Sequence, residues 1–266
     1  IFACASYFVS SLMTDIGTFF AFFAAFGQTL GSVGSWAAGI SEAVAARTGV
    51  LAAPPLHFGW SSGHMGYPGC ITLSAETLAN VLVEVCQSLM VHGFKKFVLV
   101  NGNRVANVPP MDIAASRLRV RHGALTAVLD VGLIARREVG EIVGTDDPGL
   151  GHAGDAETSY LLHHRPDLVD MSKAVAGASH VPNMQAPHSH VMHLSGPYGH
   201  NSVLFKSSPE EFAERTARTL GVTGDATRAT PEKGARIFEA VVANSCAFIE
   251  SIRNRPVTVR DVVIPI

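Results

Sequence analysis

The chain has 266 residues, of which 47% are hydrophobic and 16% charged, and its formal net charge is −2. This length and apolar content are enough for one compact domain with a full core, and α/β domains of this size are common. The low charge without a basic stripe argues against a nucleic-acid partner. We therefore expect a single domain over residues 1–266.

The first forty residues are strongly apolar and carry one charge, that of Asp15. The run 16–27 (IGTFFAFFAAFG) is long enough to raise a membrane question. No Lys or Arg precedes Arg47, so the segment lacks both a signal-peptide n-region and positive-inside flanks. Gly and Thr residues also interrupt the run. We predict a buried strand or helix in this atypical segment 1–40, which a partner subunit could cover, and no membrane association.

The rest of the chain has a pattern of helices and strands typical of an α/β protein. Helices are predicted at 41–49, 75–92, 112–122, 156–164, 209–220 and 231–252, and strands at 96–100 and 124–131. Ser74, Ser208 and Thr230 are favourable N-cap residues for three of these helices. Because the polar turn 101–103 follows a β-rich run, we expect the functional site at the carboxyl end of a parallel strand.

Two segments are predicted to be irregular. Residues 140–151 are expected to form a loop, because they contain the sequence DDPG. Residues 174–208 are rich in His, Gly and Pro, which is typical of a lid or a subunit-contact loop.

Four separated motifs resemble segments of the creatininase (creatinine amidohydrolase) family. They are residues 59–69 (GWSSGHMGYPG), 92–102 (HGFKKFVLVNG), 151–159 (GHAGDAETS) and 221–234, where GVTGD is followed by ATPEKG. The resemblance covers roughly residues 41–253 in the family's order. It implies a single α/β domain with a mostly parallel sheet flanked by helices. It also implies a homo-oligomer, often a hexamer.

The cysteines indicate the cellular compartment. Cys4, Cys70, Cys86 and Cys246 are scattered and form no C-x-x-C pair. Reduced thiols are therefore expected. Together with the resemblance to a mostly cytosolic enzyme family, this predicts a cytoplasmic protein.

Members of the resembled family hydrolyse amide C–N bonds, often in cyclic substrates, with two divalent metals. Two such metals polarise a carbonyl group and generate hydroxide from bound water. The family supplies the ligands chiefly from an N-terminal segment with Glu, His and Asp, and from a His in the turn after the central strand.

This sequence departs from the family at the N-terminal ligands. An ungapped alignment places Phe26, Gln28 and Ala37 at the Glu, His and Asp positions. An alignment on the family's G-S-V places Gly34 and Trp36 at the Glu and His, with the Asp deleted. Under either alignment no Asp or Glu lies between positions 15 and 42, and no His precedes His57.

The sequence also departs from the family at the turn. Asn103 replaces the metal-binding His, and Arg104 adds a cation beside it. A guanidinium repels divalent cations, and an amide cannot neutralise them. We therefore expect that the usual dinuclear centre does not assemble and that no metal cofactor is bound.

Part of the family's pocket is retained. His152 and Glu157 stand where the family has its catalytic-side His and a Glu of the metal site or its shell, so they are candidate acid/base residues. Alternatively, they serve hydrogen bonding and capping at a helix start. Ser61 and His64 match the substrate-side loop, where they would contact a ligand or brace the loop. Asn101, Asn103 and Arg104 complete the candidate substrate pocket, and Asn101 also suits the turn itself.

A rebuilt metal site is an alternative. His188, His190 and His193 have H-x-H-x-x-H spacing, with His200 beyond them. On an extended segment the first two imidazoles would share one face and could hold a single Zn or Mn with a third ligand. His163 and His164 are interpreted as surface residues near a helix end.

Two functions remain open, and with them whether the protein is an enzyme. The first is a non-hydrolytic, pseudoenzyme-like member of the family, a structural or regulatory subunit of a homo-oligomer or of a hetero-oligomer with an active homologue, with a small-molecule pocket. The second is an active amidohydrolase that acts on a cyclic amide or related small molecule through His152 and Glu157.

Overall fold

The computed structural model describes residues 20–25, 32–67, 70–103, 106–144, 151–177, 208–219, 221–222 and 224–262. Its sheet has four strands in the order β2-β1-β3-β4, and all neighbouring pairs are parallel. The strands are β1 (Phe20–Ala25), β2 (Leu51–Ala52), β3 (Lys96–Asn101) and β4 (Leu125–Asp130). The predicted α/β class with a parallel sheet is confirmed.

Seven α-helices are described. They are α1 (Ser32–Thr48), α2 (Ala75–Val91), α3 (Val108–His122), α4 (Arg136–Val143), α5 (Asp155–His164), α6 (Pro209–Thr216) and α7 (Pro231–Arg253). The three predicted N-caps are confirmed, because the side-chain oxygens of Ser74, Ser208 and Thr230 each accept a backbone N–H of the first helical turn. Ser208 and Glu211 form a reciprocal capping box.

The helices cover both faces of the sheet, and β3 lies between two apolar cores. Phe97 and Leu99 pack with the buried faces of α2 and α3. Val98 and Val100 point the other way and pack with α1, α4, α5 and α7. This alternation follows from the two-residue period of a strand, and burial on both faces explains why β3 is apolar almost throughout.

Several boundaries differ from the predictions. The loop predicted at 140–151 is wrong in part, because α4 extends to Val143. Val139 and Val143, four residues apart, are both buried in the core, so α4 has an apolar face that the sequence analysis missed. The helix predicted at 209–220 ends at Thr216 and continues as a 3₁₀ turn, and α1 begins at Ser32 rather than at residue 41.

The apolar N-terminal segment contributes β1, which pairs with both β2 and β3. The predicted strand or helix in this segment is therefore present as a strand followed by the start of α1. No helix in the described ranges is both long and apolar enough to span a bilayer.

Cys70, Cys86 and Cys246 are free thiols.

Close contact between α5 and α7 depends on Gly234. A Cβ at this position would overlap the carbonyl oxygen of Ser159 and lie 2.8 Å from Cβ of His163. Backbone atoms inside a helix cannot move aside cheaply, so only a glycine fits here. Thr230, the N-cap of α7, also donates its backbone N–H to Ser159 Oγ at 3.0 Å.

We predict that Gly234→Ala lowers the free energy of unfolding by about 1–3 kcal/mol or more, because it overpacks this contact. Urea denaturation followed by circular dichroism measures the change. Gly63→Ala is the matched control, since no described atom lies within 4 Å of a Cβ at Gly63. Equal stability of the two variants would contradict the proposed contact.

Candidate functional site

The site begins at the carboxyl edge of the sheet, where the register places Asn101 beside Asp130. Asn101 Nδ2 donates to Asp130 Oδ2 at 2.9 Å. The other oxygen of this carboxylate, Oδ1, accepts the backbone N–H of Gly132 at 2.9 Å. The ends of the two strands are thus joined by side chains as well as by the backbone ladder.

Asn103 continues this hydrogen-bond chain towards the 59–73 loop. Its backbone N–H donates to Asn101 Oδ1 at 3.0 Å, and its Nδ2 lies 3.5 Å from Ser61 Oγ. Asn103 is buried, and Ser61 is 0% exposed. A buried amide and hydroxyl need such partners, because an unmade hydrogen bond costs about 1–3 kcal/mol.

The 59–73 loop is fixed by three further hydrogen bonds. The backbone N–H of Trp60 donates to Asn107 Oδ1 at 2.8 Å, and that of Ser61 donates to Thr72 Oγ1 at 2.8 Å. Leu73 N–H closes the loop on Gly59 O at 2.8 Å. The loop therefore holds its 3₁₀ turn, Ser62–His64, next to the strand ends.

His64 and His152 meet at this edge. Their Nε2 atoms are 3.0 Å apart, and their rings are perpendicular with centroids 4.8 Å apart. One imidazole must donate its Nε2–H and the other must accept, so their tautomers are coupled. Burial lowers the pKa of His64 to about 4, so its ring is neutral at neutral pH. His64 Nδ1 is buried and has no hydrogen-bond partner in the described part of the chain.

Phe212 of α6 covers the imidazole pair. Its ring centroid lies 4.8 Å from that of His64 and 5.7 Å from that of His152, in edge-to-face geometry with both. The helix packs closely on the loop at Gly66, where a Cβ would lie only 2.6 Å from Pro209 O. The absence of a side chain at Gly66 permits this close approach. Tyr67 and Thr216 join the loop to α6 through a hydrogen bond between their hydroxyls.

His152 precedes α5, whose first turn is held by a buried carboxylate. Asp155 accepts from Lys233 Nζ at 2.7 Å and from Ser159 Oγ at 3.1 Å. Glu157 Oε2 accepts the backbone N–H of Ala153 at 3.0 Å. This bond satisfies a backbone donor at the start of the helix, which agrees with the capping alternative for Glu157.

The described residues do not fit the dinuclear metal centre that the resemblance implies. Within the described ranges, no three His, Cys, Asp or Glu side chains come close enough together to hold a metal ion. At the turn, the Asn103 amide nitrogen donates to a hydroxyl and offers no lone pair to a cation. Arg104, His188, His190 and His193 lie outside the described residues, so the rebuilt-site alternative stays a prediction.

The structure brings most of the predicted site residues to one edge. Ser61, Asn101 and Asn103 form the hydrogen-bond chain, His64 contacts His152, and Glu157 bonds the backbone next to His152. The sequence analysis missed Asp130 and Phe212. Asp130 could have been found as the polar residue that ends the neighbouring parallel strand. Phe212 had no comparable signal, because an aromatic residue on a helix usually belongs to a core.

Comparisons with known proteins show the family and the fold of this chain. The family model of creatininase, described as creatinine amidohydrolase, matches residues 35–249. The chain belongs to the creatininase family. A crystal structure of creatininase covers 90% of the chain with a TM-score of 0.70 at 24% sequence identity, so this likeness concerns the fold alone.

Proteins that are similar to this chain are named for different activities. A mycofactocin precursor peptide peptidase of Mycolicibacterium smegmatis is 30% identical over 197 residues, which are 74% of this chain and 65% of the relative. A creatinine amidohydrolase of Pseudomonas putida is 30% identical over 153 residues, 51% of this chain and 58% of the relative. A 3-dehydro-scyllo-inosose hydrolase of Thermotoga maritima is 27% identical over 210 residues, 76% of this chain and 65% of the relative. The matches therefore span less than two thirds of these relatives.

We predict that the neutral state of His64 makes stability pH-dependent. Its folded pKa, about 4, lies below the ordinary 6.5, so between these values the unfolded chain binds a proton that the folded chain does not. The free energy of unfolding should therefore fall as the pH decreases through this window, by at most about 1.4 kcal/mol per pH unit.

Urea denaturation of the wild type, His64→Gln and the surface control His92→Gln across this range measures the slope. The slope should shrink in His64→Gln and persist in His92→Gln. Parallel profiles for the wild type and His64→Gln would contradict the assignment.

Proposed function

We propose that this chain is a non-hydrolytic member of the creatininase family. It would bind a small molecule in its remaining pocket and act as a structural or regulatory subunit of an oligomer. The observation that carries this proposal is the hydrogen bonding of Asn103, which stands where the family has a metal-binding His. Its side-chain Nδ2 lies 3.5 Å from Ser61 Oγ, and its backbone N–H donates to Asn101 Oδ1 at 3.0 Å.

The N-terminal positions support the same proposal. Trp36 or Ala37, according to the alignment, stands at a family ligand position, and both are buried apolar core residues on α1. The Trp36 ring stacks on Tyr160 with centroids 5.2 Å apart. Packing in the core is incompatible with a ligand role, and neither side chain carries the negative charge that two divalent cations require.

The side chains at the candidate site would suit a small, mostly neutral ligand. His64 is neutral at neutral pH, Phe212 adds an apolar surface, and Ser61 and Asn103 add polar groups. Apolar walls with a few fixed polar groups are typical of small-molecule sites. The relatives are named for activities on a peptide, creatinine and an inosose, so a compound with a carbonyl or amide group is the ligand class we propose.

The oligomer is proposed on the family resemblance and on exposed apolar side chains. Phe58, Met65 and Ile71 are 50%, 45% and 57% exposed, and all lie between β2 and α2. Such side chains are suited to a contact with a second copy or with an active homologue.

The proposal predicts that purified protein, expressed with added zinc and manganese, retains much less than one tightly bound metal per chain. It further predicts no hydrolysis of creatinine or small peptide amides. One preparation serves for all three measurements. Elemental analysis gives the metal content, an amine-release assay gives the hydrolytic activity, and analytical ultracentrifugation gives the oligomeric state. Asn103→His serves as a matched variant, and we expect it to remain metal-poor, because the N-terminal ligands are also replaced.

About two metals per chain together with amide hydrolysis would overturn the proposal. Metal binding that appears in Asn103→His alone would show that position 103 by itself controls the site, contrary to the N-terminal argument. A monomer, alone and with an intact homologue, would overturn the subunit role.

A second candidate function is an active amidohydrolase, and the contact between His64 and His152 favours it. A neutral His64 can fix the tautomer of His152, so that His152 could move a proton to or from a substrate as a general acid or base. Glu157 would orient this region through its bond to Ala153.

For this second function we predict that His152→Ala lowers turnover of a cyclic amide by about 100-fold or more, the usual contribution of a general acid or base. Steady-state kinetics, with circular dichroism to verify folding, measures the effect. His92→Ala, an exposed histidine at the end of α2, is the control and should keep full turnover. Unchanged turnover in His152→Ala would exclude this mechanism.

A further inference from the structure

A basic groove lies at the opposite edge of the sheet from the candidate site. It has a volume of about 240 Å³ and is lined by Lys95, Lys96 and the segment 253–257, which includes Arg253 and Arg255. Lys96 begins β3, whereas Asn101 of the candidate site ends it. The two sites are therefore separated by the length of a strand, and the groove has no part in the proposed function.

The floor of the groove is a buried ammonium. Lys96 is 3% exposed, and its Nζ donates to the carbonyl oxygens of Ile252 at 3.1 Å and of Arg253. These carbonyls belong to the last turn of α7, where the helix dipole favours a cation. Lys96 is thus held in place by α7.

The other three cations of the groove differ in their partners. Arg253 is committed to Glu250, with two hydrogen bonds at 2.7 and 2.8 Å, and to Thr48 O. In contrast, the side chains of Lys95 and Arg255 make no hydrogen bond or ion pair within the described ranges, and the residues that line the groove include no Asp or Glu. Lys95 and Arg255 therefore flank a concave surface as two cations without an ion-pair partner in the described part of the chain.

We propose that this groove binds a small polyvalent oxyanion, in particular a phosphate group. Oxyanions accept charge-assisted hydrogen bonds from ammonium and guanidinium groups, and a guanidinium matches two oxygens at once. The volume is below the 300–1,000 Å³ usual for drug-sized ligands, which favours a free phosphate or the phosphate of a small ester. Lys95 and Arg255 hold the anion, and the buried Lys96 fixes the end of α7, which Arg255 follows.

Isothermal titration calorimetry with sodium pyrophosphate tests the proposal, with sodium chloride at equal ionic strength as the blank. We expect saturable binding, accompanied by a rise in the melting temperature. The double variant Lys95→Gln/Arg255→Gln should weaken binding by about tenfold or more, because it removes both flanking cations. Arg136→Gln/Arg236→Gln removes the same charge from exposed positions elsewhere and should bind as the wild type does.

Inorganic phosphate and glycerol phosphate are titrated in parallel, and tighter binding of the ester would identify it as the ligand form. Absence of saturable binding by all three compounds would overturn the proposal. Equal weakening in the two double variants would also overturn it, because the effect would then reflect net charge alone. If the first double variant does not fold, the single variants Lys95→Gln and Arg255→Gln must each weaken binding.

Discussion

The hydrogen-bond chain from Asp130 through Asn101 and Asn103 to Ser61 is the interaction on which the candidate site depends. It starts from the parallel register of β3 and β4, which sets Asn101 beside Asp130, and it ends in the loop that carries His64. Each member is a short side chain whose partner is fixed by the backbone. The position of His64 relative to the sheet is therefore determined by strand pairing rather than by the loop alone.

The same hydrogen-bond chain places one carboxylate and two neutral amides at this end of the sheet. The carboxylate of Asp130 is engaged by Asn101 and by the backbone of Gly132, and position 103 carries a neutral amide. The imidazole of His64 is kept neutral by burial and bonds to a second imidazole. These groups offer hydrogen-bond donors and acceptors that suit the polar atoms of a ligand.

The resemblance to the family pointed to six residues that the structure places together at the carboxyl end of the sheet, because motif spacing reflects backbone positions. Contacts between distant segments were not predictable in the same way. Phe212 reaches the imidazoles because α6 packs on the loop at Gly66, and nothing in the pattern of α6 itself indicates that neighbour. The α4 helix was missed in part because the residues after it resemble a turn, although Val139 and Val143 carry its apolar period.

The packing of α7 has a consequence for the order in which the chain can fold during synthesis. Residues 75–130 form α2, β3, α3 and β4 from one continuous stretch, so their shared core requires only short loop closures. The opposite core joins α1 to α7, and Arg47 pairs with Glu239 across 192 positions. During synthesis the core on one face of the sheet can thus form early. The core on the other face cannot form until α7 has emerged from the exit tunnel of the ribosome.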